Sequence, residues 1–284
     1  MHFQFDSASL MARLRLAPHV RMDLSCVAQT ESTNADLLAR AREGRLPDGD
    51  TGALAVLIAA EQTAGRGRAG RRWLAEPGAA LLMSLGTARR LRAADLGALP
   101  LAVGTVAASA LRQCSAPVML KWPNDLLLVR DEPAPPMLMG KLGGVLVETH
   151  ALAGDRIGIV VGIGINGVLP EGNLSPTGLP PAALAQADGC TRPAIDVAAT
   201  LIEALADLLA QPDLPGTIHT LLSQRYPALD FARGRAVQMI QDDAPVLDGI
   251  ADGIDPDGAL RVRSAHGLRR FVQGECSLRF GSPA

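Results

Sequence analysis

At 284 residues the chain supports one large domain, or one large and one small, and 48% hydrophobic against 20% charged residues exclude a disordered chain. Lys and Arg number 27 against 29 Asp and Glu, a formal net charge of −2, and the aromatics are two Trp, one Tyr and five Phe, which excludes a general nucleic-acid surface. Cys26, Cys114, Cys190 and Cys276 are widely spaced and the histidines form no HExxH or close pair, so neither a zinc site nor a disulfide framework is expected and a reducing, cytoplasmic compartment is.

The first residues read as weakly helical, and with Asp6 and no continuous apolar stretch they do not form a signal peptide. Val20 to Thr30 predicts a strand. Ser32, Thr33 and Asn34 then offer N-caps to a helix whose apolar positions include Ala35, Leu38 and Ala39. Continuous apolar runs at Ala53 to Ala60 and Ala79 to Leu85 predict strands deep in a sheet, separated by a basic glycine loop. Leu99 to Cys114 predicts a buried helix; the uncharged stretch from Leu96 to Leu111 falls short of the ~20 apolar residues of a membrane span. Strands follow at Val118 to Trp122 with Leu126 to Val129, at Leu142 to Glu148 and at Ile157 to Ile165.

Pro170 to Pro193, rich in proline and glycine, predicts a long loop, and Ile195 to Leu209 an amphipathic helix with another near Thr217 to Arg225. From about Gly234 the texture changes to short alternating segments, AVQMIQ, VLDGIADGI, ALRVR and RRFVQG, separated by turns such as Asp255 to Gly258. These predict a small β-barrel over 234–284, leaning on a mixed α/β (α+β) domain over 1–233 because about 50 residues is near the lower limit for an independent core. The pattern of helix and strand begins within the first ~25 residues, too few for a helix-turn-helix domain, so DNA-binding regulation is not expected.

Four segments carry chemistry. Gly65 to Trp73, GRGRAGRRW, matches GxGxxG after a strand, but Pro77 and Gly78 arrive where a Rossmann helix should run, so the match does not mark a dinucleotide fold. Arg66, Arg68, Arg71 and Arg72 repel one another there unless an anion sits among them; the alternative is a solvated basic loop, and Trp73 is either core or a lid. In Lys121 to Asp125, KWPND, the proline ends a strand and either aims Asn124 and Asp125 at a ligand or makes an ordinary turn. Lys141 starts an apolar strand beside Gly143 and Gly144, which admit a ligand or a neighbouring strand. Gly162 and Gly164 share one strand face, predicting a smooth floor, with Asn166 at its exit able to give a donor and an acceptor to a flat heterocycle.

ESTNADLL (31–38), EQTAGRGRAGRRW (61–73), KWPNDLLL (121–128), GKLGGVLVE (140–148) and GIGIN (162–166) resemble, in order, the motifs of biotin protein ligases of the monofunctional type, without the helix-turn-helix domain of regulatory members. The resemblance implies a mixed sheet packed with helices, like class II aminoacyl-tRNA synthetases, and a C-terminal SH3-like β-barrel. It implies ATP-dependent activation of biotin to biotinyl-5′-AMP, with Mg²⁺, and transfer to one lysine of the biotin carboxyl carrier protein of acetyl-CoA carboxylase. Lipoate or octanoate transfer is the alternative on a similar fold.

By that resemblance Ser32, Thr33, Asn34, Gln62, Arg66, Gly67, Arg68 and Lys141 line the biotin site, and Ser32 to Asn34 either cap a helix or bind, or do both. Arg68, Arg71, Trp73 and Asn166 take ATP and the adenylate. Lys141, Arg66 and Asp125 carry the catalysis, with Asp125 expected as base for the attacking lysine and metal positioning as its competing role. The Mg²⁺ ligands stay unassigned. Neither DNA nor a membrane is expected as a partner, and a homodimer is admitted. The one departure from the motif pattern is the insertion 130–136, which concerns a hairpin tip.

Overall fold

A computed structural model describes residues 1–132, 134–170, 179–241, 244–272 and 276–280. Pro133 of the insertion, residues 171–178 of the Pro170–Pro193 loop, the last two residues of RRFVQG and the end of the 234–284 unit lie outside the described residues.

The central sheet has seven strands in the order β1-β2-β3-β7-β6-β5-β4. They are β1 Arg21–Thr30, β2 Ala53–Gln62, β3 Ala80–Arg90, β4 Val118–Lys121, β5 Asp125–Arg130, β6 Met137–Ala151 and β7 Arg156–Asn166. Only the β1–β2 pair is parallel, as suits two strands joined by a helix. That helix is α2, Thr33–Arg42, started by Ser32, whose hydroxyl accepts from the Ala35 amide at 3.4 Å. A short α1, Ser7–Met11, precedes β1 and is capped by Asp6.

The apolar runs of β2 and β3 are continuous because both faces of the sheet are covered. Leu54, Val56, Ile58, Leu81, Met83 and Leu85 join the main core, against α3 Leu99–Gln113 and α4 Ala194–Leu209, while Ala55 and Leu57 turn to the opposite face, against Leu37, Leu38 and Ala41 of α2. The apolar stretch Ala94–Gln113, which includes α3, is long and apolar enough to cross a membrane by length and composition; here it is largely buried against α4 and the sheet. α5 Leu214–Gln224 and α6 Tyr226–Leu229 complete this layer.

The C-terminal unit is a five-stranded antiparallel sheet ordered β11-β10-β9-β8-β12. Its strands are β8 Ala236–Gln241, β9 Ala244–Ile254, β10 Leu260–Ser264, β11 Gly267–Phe271 and β12 Cys276–Phe280. Val237, Met239, Ala251, Leu260, Val262 and Leu278 belong to the same core cluster as α3 and the large sheet, so this unit does lean on its neighbour.

Three strands differ most from the sequence reading: β3 runs past Leu85 to Arg90 beside β7, and β6 and β12 depart from it as well. β6 runs from Met137 to Ala151 rather than from Leu142 to Glu148, because its ends gain partners in β5 and β7 that no local pattern encodes. β12, absent from that reading, pairs antiparallel with β8. Of the insertion 130–136, Arg130 ends β5, Asp131 is bound by Arg112 at 2.6 Å, and the Pro136 carbonyl accepts from Arg235 at 3.1 Å.

Asp230 occupies the crossing from α6 to β8, in a bridge with Leu120 of β4, and is 5% exposed. Burial raises its carboxyl to about 6, against the opposing pull of the Ala232 and Arg233 amides and the Arg233 charge. A carboxyl raised in the folded state stabilises most when protonated, so its contribution is complete below the unfolded value near 4 and is lost as pH rises through 6. Asp230→Asn keeps an acceptor for the Ala232 amide, 3.0 Å away, without the buried charge. It should stabilise the protein by roughly 2 kcal/mol at pH 8 and by almost nothing at pH 4, measured by urea denaturation at both. Equal effects at the two pH values would contradict the assignment.

Candidate active site

A cavity of about 380 Å³ opens over the α2 face of the sheet, within the range of small-molecule sites. Its lining includes Ser32, Thr33, Asn34, Gln62, Arg66, Gly67, Arg68, Arg71, Trp73, Asp125, Lys141 and Asn166, so the sequence-predicted residues are brought together.

The α2 N-terminus supplies the neutral polar part. The Thr33 amide donates to Gln62 Oε1 at 2.8 Å and its hydroxyl lies 3.0 Å from the same oxygen. Thr33 Oγ1 is also 2.7 Å from Ser84 Oγ, which donates to Asn34 Oδ1 at 2.6 Å. Two hydroxyl protons face three contacts, and the assignment that satisfies every acceptor sends Thr33 O–H to Ser84 and Ser84 O–H to Asn34, since Gln62 Oε1 already receives the Thr33 amide. The relay continues as Asn34 Nδ2 donates to Glu148 Oε2 at 2.9 Å, while Glu148 Oε1 meets Arg66 Nη2 at 3.2 Å. Ser32 to Asn34 therefore cap the helix and line the cavity together. Ser84, buried in β3, and Glu148, on β6, were not singled out from sequence: a serine within an apolar run and a glutamate at a strand end carry no local signal.

The glycine loop folds into a tight hairpin and not into a helix, as its failed Rossmann context implied. Gly67 N–H donates to the Arg71 carbonyl at 2.7 Å and Trp73 N–H to Gly65 at 2.9 Å, with Ala69 and Gly70 at φ 53° and 71° forming the tip. Arg66 is held by Glu148, and Arg72, which also lines the cavity, donates to the Thr63 carbonyl at 3.2 Å. Arg68 Nη1 reaches Asn124 Oδ1 at 3.4 Å. Burial pushes the Arg68 guanidinium down and the Arg71 charge adds to that, while Asp125 pulls it back. The mutual repulsion expected of four arginines is thus relieved in part by the protein and in part left to a ligand.

The expected smooth glycine floor takes another form. On β7 a side chain at Gly162 would collide with Asn34, and one at Gly164 would meet the Trp73 ring at 2.7 Å. Gly162 and Gly164 both line the cavity, and their missing side chains also let α2 and Trp73 approach the sheet, so the floor is shared with this chain's own groups. Trp73 is thereby both packed and cavity-lining, and its Nε1 has no partner among the described residues. Gly143 serves the neighbouring strand, since a Cβ there would strike the Gly164 carbonyl. Asn166 donates its amide to the Ala182 carbonyl at 3.0 Å, so that donor is engaged by the backbone.

KWPND is a strand end that aims its polar groups. β4 and β5 pair Lys121 with Asp125 across the turn, and Asn124 is fixed by Nδ2 donating to the Val145 carbonyl at 2.8 Å. Asp125, 4% exposed, receives Lys121 Nζ at 3.0 Å and Lys141 Nζ at 2.6 Å. Burial alone would raise its carboxyl, but the Lys121 and Lys141 charges and their hydrogen bonds outweigh it and hold the group at about 2. A carboxylate held so low is a poor proton acceptor, which corrects the expectation of Asp125 as base: it is the shared counter-ion of two lysines.

The C-terminal sheet also reaches the cavity, through Ile240 of β8 and Cys276, Leu278 and Arg279 of β12. The signal for them was the alternation in Cys276-Ser-Leu-Arg-Phe280, too short and too close to the chain end to stand out.

Residues 27–166 match the model of the Biotin/lipoate A/B protein ligase family and residues 233–279 that of the Biotin protein ligase C terminal domain. The chain is 36% identical over 250 residues to the bifunctional ligase/repressor BirA of Escherichia coli, covering 88% of this chain and 72% of that protein. It is 31% identical over 258 residues to the biotin--[acetyl-CoA-carboxylase] ligase of Paracoccus denitrificans, covering 88% and 98%. In fold it is similar to the biotin protein ligase from Aquifex aeolicus solved with biotin and ATP, with a TM-score of 0.67 at 23% identity over 91% of this chain and 99% of that one.

Proposed function

The chain belongs to the biotin/lipoate A/B protein ligase family, and on that premise we propose that its cavity joins biotin to AMP and hands the biotinyl group to a carrier lysine. It is a biotin protein ligase. The observation that carries the site assignment is the convergence of Arg66, Arg68, Arg71 and Lys141 on one cavity with the neutral polar set Ser32, Thr33, Asn34 and Gln62.

The neutral set suits the ureido ring. Gln62 Oε1 is occupied by Thr33, leaving the Gln62 amide as a donor for the urea oxygen, with Ser32 beside it; unpaired, such buried groups would cost ~1–3 kcal/mol each. The cations address the reaction itself. A carboxylate oxygen of biotin attacks the α-phosphorus of ATP and pyrophosphate leaves, so two anions must approach each other, and Arg66, Arg68, Arg71 and Lys141 lower that repulsion. The lysine nitrogen of the carrier then attacks the acyl carbon, AMP leaves with the bonding pair and the nitrogen gives up a proton. Trp73 and Asn166 cover the nucleotide, and the hairpin 65–73 excludes water from the mixed anhydride.

Mg²⁺ enters this scheme as part of the ATP substrate, where it neutralises phosphate charge. The chain's own donors do not fit a resident ion: Asp125 and Glu148 are both paired with cations, and no group of three or more His, Cys, Asp or Glu gathers among the described residues. The division into a catalytic unit, 1–233, and a C-terminal unit, 234–284, belongs to the same proposal, as does the carrier protein of acetyl-CoA carboxylase as acceptor. Incubation with ATP, Mg²⁺, biotin and a carrier domain should add one biotinyl mass to the carrier. Lipoate as the preferred acid would overturn the substrate, and the match of 233–279 to a biotin ligase domain weighs against it.

Arg68 ties the hairpin to Asn124, and losing a charge-assisted contact of about 1.5–3 kcal/mol should loosen the closed loop. Arg68→Gly should therefore release biotinyl-5′-AMP to solvent at least about 10-fold faster, read as the off-rate of radiolabelled adenylate. An off-rate equal to the parent's would remove the hairpin from that role.

A further inference from the structure

Two lysines share one carboxylate at the cavity wall, and of the two only Lys141 keeps appreciable exposed surface. Lys141 Nζ, 2.6 Å from Asp125 Oδ1, has a side chain 20% exposed and lies 5.9 Å from the centre of the Trp73 ring. Lys121 Nζ, 3.0 Å from Asp125 Oδ2, is 3% exposed. A buried ammonium is costly to desolvate and needs a reason for its place.

Asp125 supplies one negative charge against two positive ones, so the trio carries a formal charge of +1. If Asp125 faced Lys141 alone, the two would form a closed neutral pair, and an incoming carboxylate or phosphate would meet a dipole in place of a charge. Asp125 in turn is needed to aim the Lys141 ammonium, whose backbone is clamped by N–H donation to the Pro180 carbonyl and by the Ala182 N–H at 2.8 Å each. We propose that Lys121 is a positioning residue that acts through Lys141: by occupying the second oxygen of Asp125 it leaves the Lys141 charge uncancelled for the reacting anions. Lys121 touches no substrate in this scheme, and the inference rests on the activity proposed for the cavity.

The test is a charge-balance cycle measured as biotin-dependent ATP–pyrophosphate exchange, with the binding of biotinol, the alcohol that lacks the carboxylate, as the readout of pocket integrity. Lys121→Met should lower kcat about 100-fold, in the range of one lost transition-state contact, with biotinol affinity unchanged. The double variant Lys121→Met, Asp125→Asn removes one charge of each sign, restores +1 on Lys141, and should recover to within about 10-fold of the parent. A structural role for Lys121 predicts the reverse, with the double variant no better than the single, and that result overturns the proposal. Unchanged kcat in Lys121→Met overturns it as well. Should the single variant lose biotinol binding, the double variant decides alone: recovery of exchange supports the charge balance and continued inactivity overturns it. A parent that exchanges pyrophosphate without need of biotin would instead overturn the activity assigned to the cavity.

Discussion

Replacing Lys141 by alanine should reduce adenylate synthesis about 1,000-fold or more while leaving the protein folded. Lys141 is the one lysine of the cavity wall whose ammonium is open to a ligand among the described residues, the other, Lys121, being buried behind Asp125. Its loss leaves that carboxylate still paired with Lys121, so no buried charge is orphaned, and the strand is held by backbone bonds that alanine retains. The cavity then holds a neutral Lys121–Asp125 pair where a net positive charge stood. Pyrophosphate release with saturating biotin and ATP measures the effect, and a melting temperature within ~2 °C of the parent separates it from unfolding. Near-normal release would exclude Lys141 from the chemistry. Transfer from added biotinyl-5′-AMP should fall less, because in that half-reaction the anionic reactants have already been joined.

Much of the fold was legible because its driving pattern is local. Runs of apolar residues such as Leu54 to Ile58 and Leu81 to Leu85 are strands buried on both faces, and α3 and α2 announce themselves by composition and cap. What failed was decided by partners distant in sequence. The outer half of β6 exists because β5 lies beside it, and β12 because β8 does. The site divides in the same way. GRGRAGRRW, KWPND and GIGIN stood out by residue type and spacing, while Gln62 and the biotin-site roles came only from the family resemblance; the roles of Asn34 and Gly162, and in part that of Asp125, are set by groups far along the chain. Asp125 reads as a base until the Lys121 charge, four residues away, and that of Lys141, brought beside it by the β5–β6 ladder, hold it at about 2. Gly162 reads as bare floor, whereas α2 sets Asn34 against it within the same cavity lining. Ser84 and Glu148 join that set only through the relay that links them.

The largest effect on stability should come from Trp122, which is fully buried and stands where three parts of the molecule meet. It closes β4 just before the turn that presents Asn124 and Asp125, and its indole Nε1 donates to the Gly258 carbonyl at 3.1 Å. Gly258, at φ 84°, ends the turn Asp255 to Gly258, and a Cβ there would press on Ala98 and Leu101 of the α3 start at 3.1 Å. Trp122 therefore fills the junction between the catalytic hairpin, the core helix and the C-terminal sheet. Trp122→Ala should cost about 3–5 kcal/mol, the sum of lost apolar burial and the cavity left behind, and Trp122→Phe nearer ~1–2 kcal/mol, since the ring survives and the bond to Gly258 does not. Urea denaturation resolves the two, and a Trp122→Ala loss under ~1 kcal/mol would show that the junction collapses around the gap. The alanine variant should also lose activity beyond its fraction unfolded, because the turn that carries Asp125, and through it the aim of Lys141, rests on the indole.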